Sequence, residues 1–225
     1  NWVVNTEAGL VELANLVDTG ESTTGVTVKL AKDMDLSRIN NWAPIGHLTA
    51  NASGIFTGSE ATNKYFAGTF DGNGKTIKNL ISSTAYCTGL LGAIGLNGTL
   101  KNVKIVNANI ESSHWAGALV GYIYKGTVEN CEVENATSNC VKLDDVHNGD
   151  KAGALVGYAN DDSASLIKNC KASNSTVTAG RDAGQIVGAA KVDNVTDCTV
   201  DNVKVSANGT STGENINDEP VGRKF

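Results

Sequence analysis

The sequence predicts an all-β protein: a single parallel β-helix, or solenoid, closed at its N-terminal end by a capping α-helix. Three observations carry this. A glycine-flanked frame recurs every thirty or so residues, an Asn or Asp follows the second Gly of each frame nine to twelve residues on, and Val and Ile alternate with no helical period.

The frame is Gly-x-Leu/Ile-Val/Leu-Gly. It reads most clearly in "GALVGY", present at Gly117–Tyr122 and again at Gly153–Tyr158. Its second Gly falls at 92, 121, 157 and 188, in steps of 29, 36 and 31 residues. Steps of that size, written in β-formers and nearly without proline, suit the rungs of a parallel β-helix, each about 4.8 Å above the last. The hexapeptide recurs because adjacent rungs present one strand to one core. Ile77, Leu80, Leu91, Leu119, Val120, Leu155, Val156 and Val187 are the expected core.

The Asn falls at 79, 102, 130 and 169, and Asp197 closes the series. Each Asn sits between two inward apolar residues, where the chain must bend. Asn tolerates the left-handed conformation, and its amide can pair with the neighbouring rung. Asn79, Asn102, Asn130 and Asn169 are therefore expected to stack in one column. Cys131, Cys170 and Cys198 follow it in one register and should point inward as small apolar residues with free thiols.

The ends differ from the repeat. Residues 5–20 carry Leu10, Leu13, Leu16 and Val17 at amphipathic helical spacing and end near Gly20, which predicts the cap. "VTVKLAKDMDLS" then alternates as a strand, and "FDGNGK" (70–75) reads as a tight turn between rungs. The β-helix is expected over 1–205, with 1–20 as the capping helix. Residues 206–225 read as a polar tail or linker.

Composition narrows the function. The 225 residues include 25 Gly and 25 Asn, 19% are charged, and the net charge is −6. No basic patch argues for nucleic acid, and no apolar run is long enough to insert in a membrane. The first residue is Asn, which reads as a trimmed mature segment. Five cysteines cannot all pair, and no Cys/His spacing suits zinc, so neither metal nor cofactor is expected.

Taken together, "VTVKLAKDMDLS", "NWAPIG", "FAGTFDGNGKTIKNL" and the Gly-Leu-Leu-Gly and Gly-Ala-Leu-Val-Gly repeats resemble GLUG-motif proteins of bacterial surfaces. Repeats of this kind accompany immunoglobulin A-cleaving metallopeptidases and adhesin-like proteins. The resemblance covers roughly 1–205. It implies a right-handed parallel β-helix that is secreted or surface-attached. The HExxH zinc motif of the peptidase unit is absent, so no protease activity carries over.

Candidate contacts come from departures from the repeat. The third rung holds eight extra residues within 136–152, a stretch containing Cys140, Asp144, Asp145, His147 and Asp150. A smaller insertion brings Asp161 and Asp162. Insertions project as loops from a rigid scaffold. Beside the larger one, Tyr86, Trp115, Lys151 and Asp182 are read into one register, with Ala85, His114, Asp150 and Arg181 in the register before it. Tyr86 and Trp115 should then stack as an exposed pair, and Asp150 should reach Arg181 on the next rung. The candidate ligand-binding residues are Tyr86, Trp115, His114, Lys151, Asp144, Asp145 and Asp150; the plainer reading is that the loops are solvated and the rings shield a rung edge.

The expected function is a non-catalytic extracellular binding or spacer domain, a monomeric part of a larger adhesin-like surface protein. Its partner would be a host or matrix glycan or protein. The alternative is a polysaccharide-active β-helix enzyme, a lyase or hydrolase, which would need convergent carboxylates.

Overall fold

The computed structural model describes residues 1–48, 64–141, 150–160, 162–207 and 221–224. Among them the protein is all-β with one α-helix, and its strands form three parallel sheets of twelve, five and four strands.

The chain visits the sheets in a fixed cyclic order. One pass runs through Thr99–Ser112 in the large sheet, Trp115–Ala116 in the four-stranded sheet and Val120–Tyr124 in the five-stranded sheet. The next pass repeats this with Thr127–Glu129 and Glu132–Cys140, then Lys151–Gly153, then Val156–Ala159. Each strand pairs with its counterpart one pass away, as Val120 does with Val156 and Val133 with Ile105. Inward side chains from all three sheets merge into one core, and the eight residues expected there are fully buried.

The glycines of the repeated frame explain why it tolerates so little change. A Cβ on Gly121 would lie 2.6 Å from the Thr88 amide nitrogen and 2.9 Å from the Cys87 Cα. One on Gly117 would lie 2.6 Å from the Gly157 nitrogen. The four- and five-stranded sheets touch backbone to backbone here, so no side chain fits between them. The same frame extends further than the four copies read from sequence. Ile45 bridges Leu91, which adds Pro44-Ile45-Gly46, and Val221 pairs with Val187, which adds Val221-Gly222. The segment expected to be a polar tail thus ends in a strand, Val221–Lys224, on the five-stranded sheet.

The Asn register differs from expectation at one position. Asn102, Asn130 and Asn169 do form a column, followed by Asp197, because Lys101, Glu129 and Lys168 are register partners. Asn79 is not in it. Lys78 pairs with Val106, so Asn79 lies beside Asn107 and heads a second column, Asn79, Asn107, Asn135, Asn174 and Asn202. All of these Asn have φ between 48° and 59°. The misreading has a physical cause: "DGNGK" is not a turn between rungs but a bulge inside the strand Thr69–Lys78, with a register shift between Asp71 and Lys75. Asn73 and Gly74 take positive φ to accommodate the extra residues.

The helix spans Glu7–Asp18. Thr6 caps it, its hydroxyl accepting the Gly9 N–H at 3.0 Å, and Gly20 at φ 94° turns the chain out of it. Leu10, Leu13, Ala14 and Val17 join the main core. Ahead of the helix lies a short strand, Trp2–Val4, that the sequence reading missed. It pairs in parallel with Thr27–Leu30 and forms one end of the large sheet.

All five cysteines are free, and Cys131 and Cys170 are buried as expected.

Candidate functional site

The four-stranded sheet positions the candidate residues. Lys151 pairs with both Trp115 and Asp182, as expected, but the residue opposite Trp115 on the other side is Cys87, not Tyr86. Gly89-Leu-Leu-Gly92 is one residue shorter than Gly117-Ala-Leu-Val-Gly121, so counting back from the second Gly slips the register by one. Tyr86 falls in the outer column with His114, Asp150 and Arg181. Its carbonyl accepts the Trp115 N–H, and its ring meets His114 edge-on at 5.7 Å.

Trp115 is not exposed. Only 8% of its surface is accessible, and it lies in a second, smaller apolar cluster with Leu48, Cys87 and Ala93. Tyr122 stacks on it at 4.6 Å, and Tyr158 lies 5.1 Å away. These are the terminal residues of the two "GALVGY" copies; they are register partners with rings 5.4 Å apart. Sequence reasoning passed them over, although the repeated Tyr was the signal. Burial pushes the Tyr122 hydroxyl far above its ordinary titration range. The indole N–H of Trp115 donates to Asp150 Oδ2 at 2.9 Å, so its polar edge is satisfied as burial requires.

Asp150 and Arg181 meet as expected: Arg181 Nη2 lies 2.6 Å from Asp150 Oδ1. The pair belongs to a larger network. Lys151 Nζ is 2.6 Å from Asp150 Oδ2 and 3.7 Å from Asp182 Oδ2, while Arg181 Nε is 3.1 Å from the same Asp182 oxygen. Lys151 and Asp182 are buried, Asp182 completely. Burial lowers the Lys151 ammonium from its ordinary range, against the opposing pull of Asp150. Its charge also sits 5.0 Å from the Tyr158 ring centre. Two cations and two anions thus neutralise one another, Asp150 and Arg181 in the outer column and Lys151 and Asp182 in the column behind it.

Within 136–152, residues 136–140 continue the strand Glu132–Cys140 in register with both neighbours, so the extra residues follow Cys140 in the sequence. Cys140 anchors its base: the thiol donates to the His114 carbonyl at 2.8 Å and accepts the Asp150 N–H at 3.1 Å. Burial raises the pKa of that thiol to about 12, which disfavours the reactive thiolate. Asp144, Asp145 and His147 lie outside the described residues, as does Asp161. Asp162 closes a turn by accepting the Ala164 N–H and lies 3.8 Å from Lys125. Among the described residues no three His, Cys, Asp or Glu side chains are grouped to hold a metal ion, and no helix is long and apolar enough to cross a membrane.

The arrangement is therefore layered. Trp115 and Lys151 are the buried base, Tyr122 and Tyr158 pack half-buried on Trp115, and Tyr86, His114, Asp150 and Arg181 form a half-buried outer column.

The chain is similar to known proteins in sequence and in fold. Over 101 residues, 44% of its length, the chain is 37% identical to halomucin of Haloquadratum walsbyi; this stretch is 1% of halomucin. A solved chain from Bacteroides ovatus, described as a candidate immunoglobulin A1 protease, superposes with a TM-score of 0.52 at 16% identity. The match covers 99% of this chain and 82% of that one, and it is a likeness of fold. Residues 151–178 match the family model described as the GLUG motif. They contain Lys151, the second "GALVGY" and Asn169, so the copy of the repeat that brings Lys151 to the candidate site matches the GLUG motif.

Proposed function

We propose that this chain is a right-handed parallel β-helix acting as a non-catalytic spacer and binding domain of a larger secreted or cell-surface protein of the adhesin type. The observation that carries the reading is the unbroken ladder. The column Thr27, Thr69, Thr99, Thr127 and Leu166 is paired link by link, and three sheets share one core. Such a scaffold is stiff along its axis and carries side chains at one fixed spacing. The halomucin match, a small part of a very long chain, supports a module that extends a surface protein.

The contact surface in this reading is the outer column Tyr86, His114, Asp150 and Arg181. It offers an aromatic face, an imidazole and one charge of each sign, a set suited to a glycan or a polar protein loop. Trp115 belongs to the supporting layer.

The test is a screen of the purified chain against glycans and matrix proteins, run beside a depolymerisation assay on the same polysaccharides. Binding without turnover, weakened about tenfold by Tyr86→Ala, supports the proposal. Turnover of any polysaccharide would replace it with the enzyme reading. A Trp115→Ala variant should lose stability before it loses affinity.

A further inference from the structure

We propose that Lys151 and Asp182 form an intrachain amide crosslink that ties two successive passes of the chain together.

The two residues are direct register partners on adjacent parallel strands. Their side chains leave the sheet on the same side, and Lys151 Nζ stands 3.7 Å from Asp182 Oδ2. Both are buried, and Asp182 Oδ1 has no hydrogen-bond partner. Asp150 Oδ1 also lacks a well-aligned hydrogen bond but has the Arg181 Nη2 charge 2.6 Å away, so Asp182 Oδ1 is the carboxylate oxygen of this network with neither, which is costly when buried. Conversion of the carboxylate to an amide removes that charge and that oxygen together.

The neighbours fit the chemistry. Asp150 Oδ2, 2.6 Å from Lys151 Nζ, is placed to take a proton from the ammonium and free the amine. Burial already lowers that ammonium from its ordinary range, which favours this transfer. The amine nitrogen then attacks the Asp182 carboxyl carbon. Arg181 Nε, 3.1 Å from Oδ2, holds the oxyanion that develops there. Oδ1, the oxygen without a partner, leaves as water, taking one proton by way of Asp150 and one from the attacking nitrogen. The balance is one ammonium and one carboxylate giving one secondary amide and one water, with nothing oxidised or reduced. The Tyr158 ring, 5.0 Å from Lys151 Nζ, and the buried Trp115 wall the site. A dry, enclosed site favours condensation over hydrolysis.

The bond would join the strand Lys151–Gly153 to Asp182–Gly184 on the next pass. The inference does not depend on whether the outer column binds a ligand.

The experiment is an intact-mass measurement on the purified, folded chain, followed by tryptic mapping. The expected mass is one water below that of the sequence. Trypsin should fail to cut after Lys151, and the peptide containing Lys151 should be found joined to the one containing Asp182. Lys151→Met should restore the full sequence mass. Asp150→Asn, which keeps both reacting groups, should leave most of the chain uncondensed. A wild-type mass equal to that of the sequence would overturn the proposal. So would a water loss mapped elsewhere, such as to cyclisation at Asp71-Gly72.

Discussion

Asn135 donates its side-chain amide to Asn107 Oδ1 at 2.6 Å, one pass of the chain away. Both residues are left-handed, at φ 56° and 59°. The contact recurs from Asn202 to Asn174 at 2.8 Å, and in the first column from Asn169 to Asn130 at 2.7 Å. Two corners five residues apart therefore bend each pass, and each is fixed both by backbone conformation and by a bond along the column. At Asn135 the two contributions separate. Asn135→Ala should destabilise by about 2 kcal/mol, combining left-handed strain with the lost bond. Asn135→Gly should cost less, since glycine takes the conformation freely. Urea denaturation of both variants checks this; an Ala variant as stable as the Gly variant would disprove it.

Leu119 sits on the inner face of the frame and is fully buried. Leu119→Ala should cost about 2–5 kcal/mol through lost burial and the cavity left behind. A loss under about half a kcal/mol in the same measurement would mean that its face is wrongly assigned.

The frame glycines should be less replaceable than glycines chosen for conformation alone. A Cβ on Gly121 meets backbone at 2.6 Å, whereas one on Gly25, at φ 73°, meets nothing within 4 Å. Gly25→Ala should therefore cost about 1–2 kcal/mol. Gly121→Ala must push two sheets apart and should prevent cooperative folding. Thermal melts of the pair test this order.

Asp71 should contribute an acid-side dependence of stability. Burial alone would raise its pKa, but bonds from the Asn102 amide and the Asn73 N–H, with Lys101 nearby, outweigh burial and hold it below the ordinary aspartate range. The folded-state value is thus depressed. Its stabilisation is present above the unfolded value and is lost as pH falls through the folded one. Asp71→Asn should flatten the fall in stability below about pH 4 relative to the wild type. An unchanged slope would show that Asp71 contributes nothing to it.

Much of this was legible in the sequence, for reasons that also explain the misses. The "GALVGY" copies revealed the core face because identical residues must fill equivalent places on adjacent strands. Counting within the repeat was enough to bring Asp150 to Arg181. Where one pass differs in length from the next, counting failed. The bulge at Asn73 and Gly74 hid the second Asn column, and the short Gly89–Gly92 frame put Tyr86 beside Trp115 in place of Cys87. The burial of Trp115 was missed although part of its signal was present: the Tyr that closes each "GALVGY" copy packs on it, while Leu48, in the same apolar cluster, comes from outside the repeat.

The register of the columns is the central claim, and through-hydrogen-bond NMR coupling tests it most directly. The Asn79 N–H donates to the Val106 carbonyl at 3.0 Å, and the Asn109 N–H to the Leu80 carbonyl at 2.8 Å. In isotope-labelled protein the Asn79 nitrogen should couple to the Val106 carbonyl carbon, and the Asn109 nitrogen to that of Leu80. Coupling of the Asn79 nitrogen to the Lys101 carbonyl carbon would place Asn79 beside Asn102 and contradict the two-column architecture.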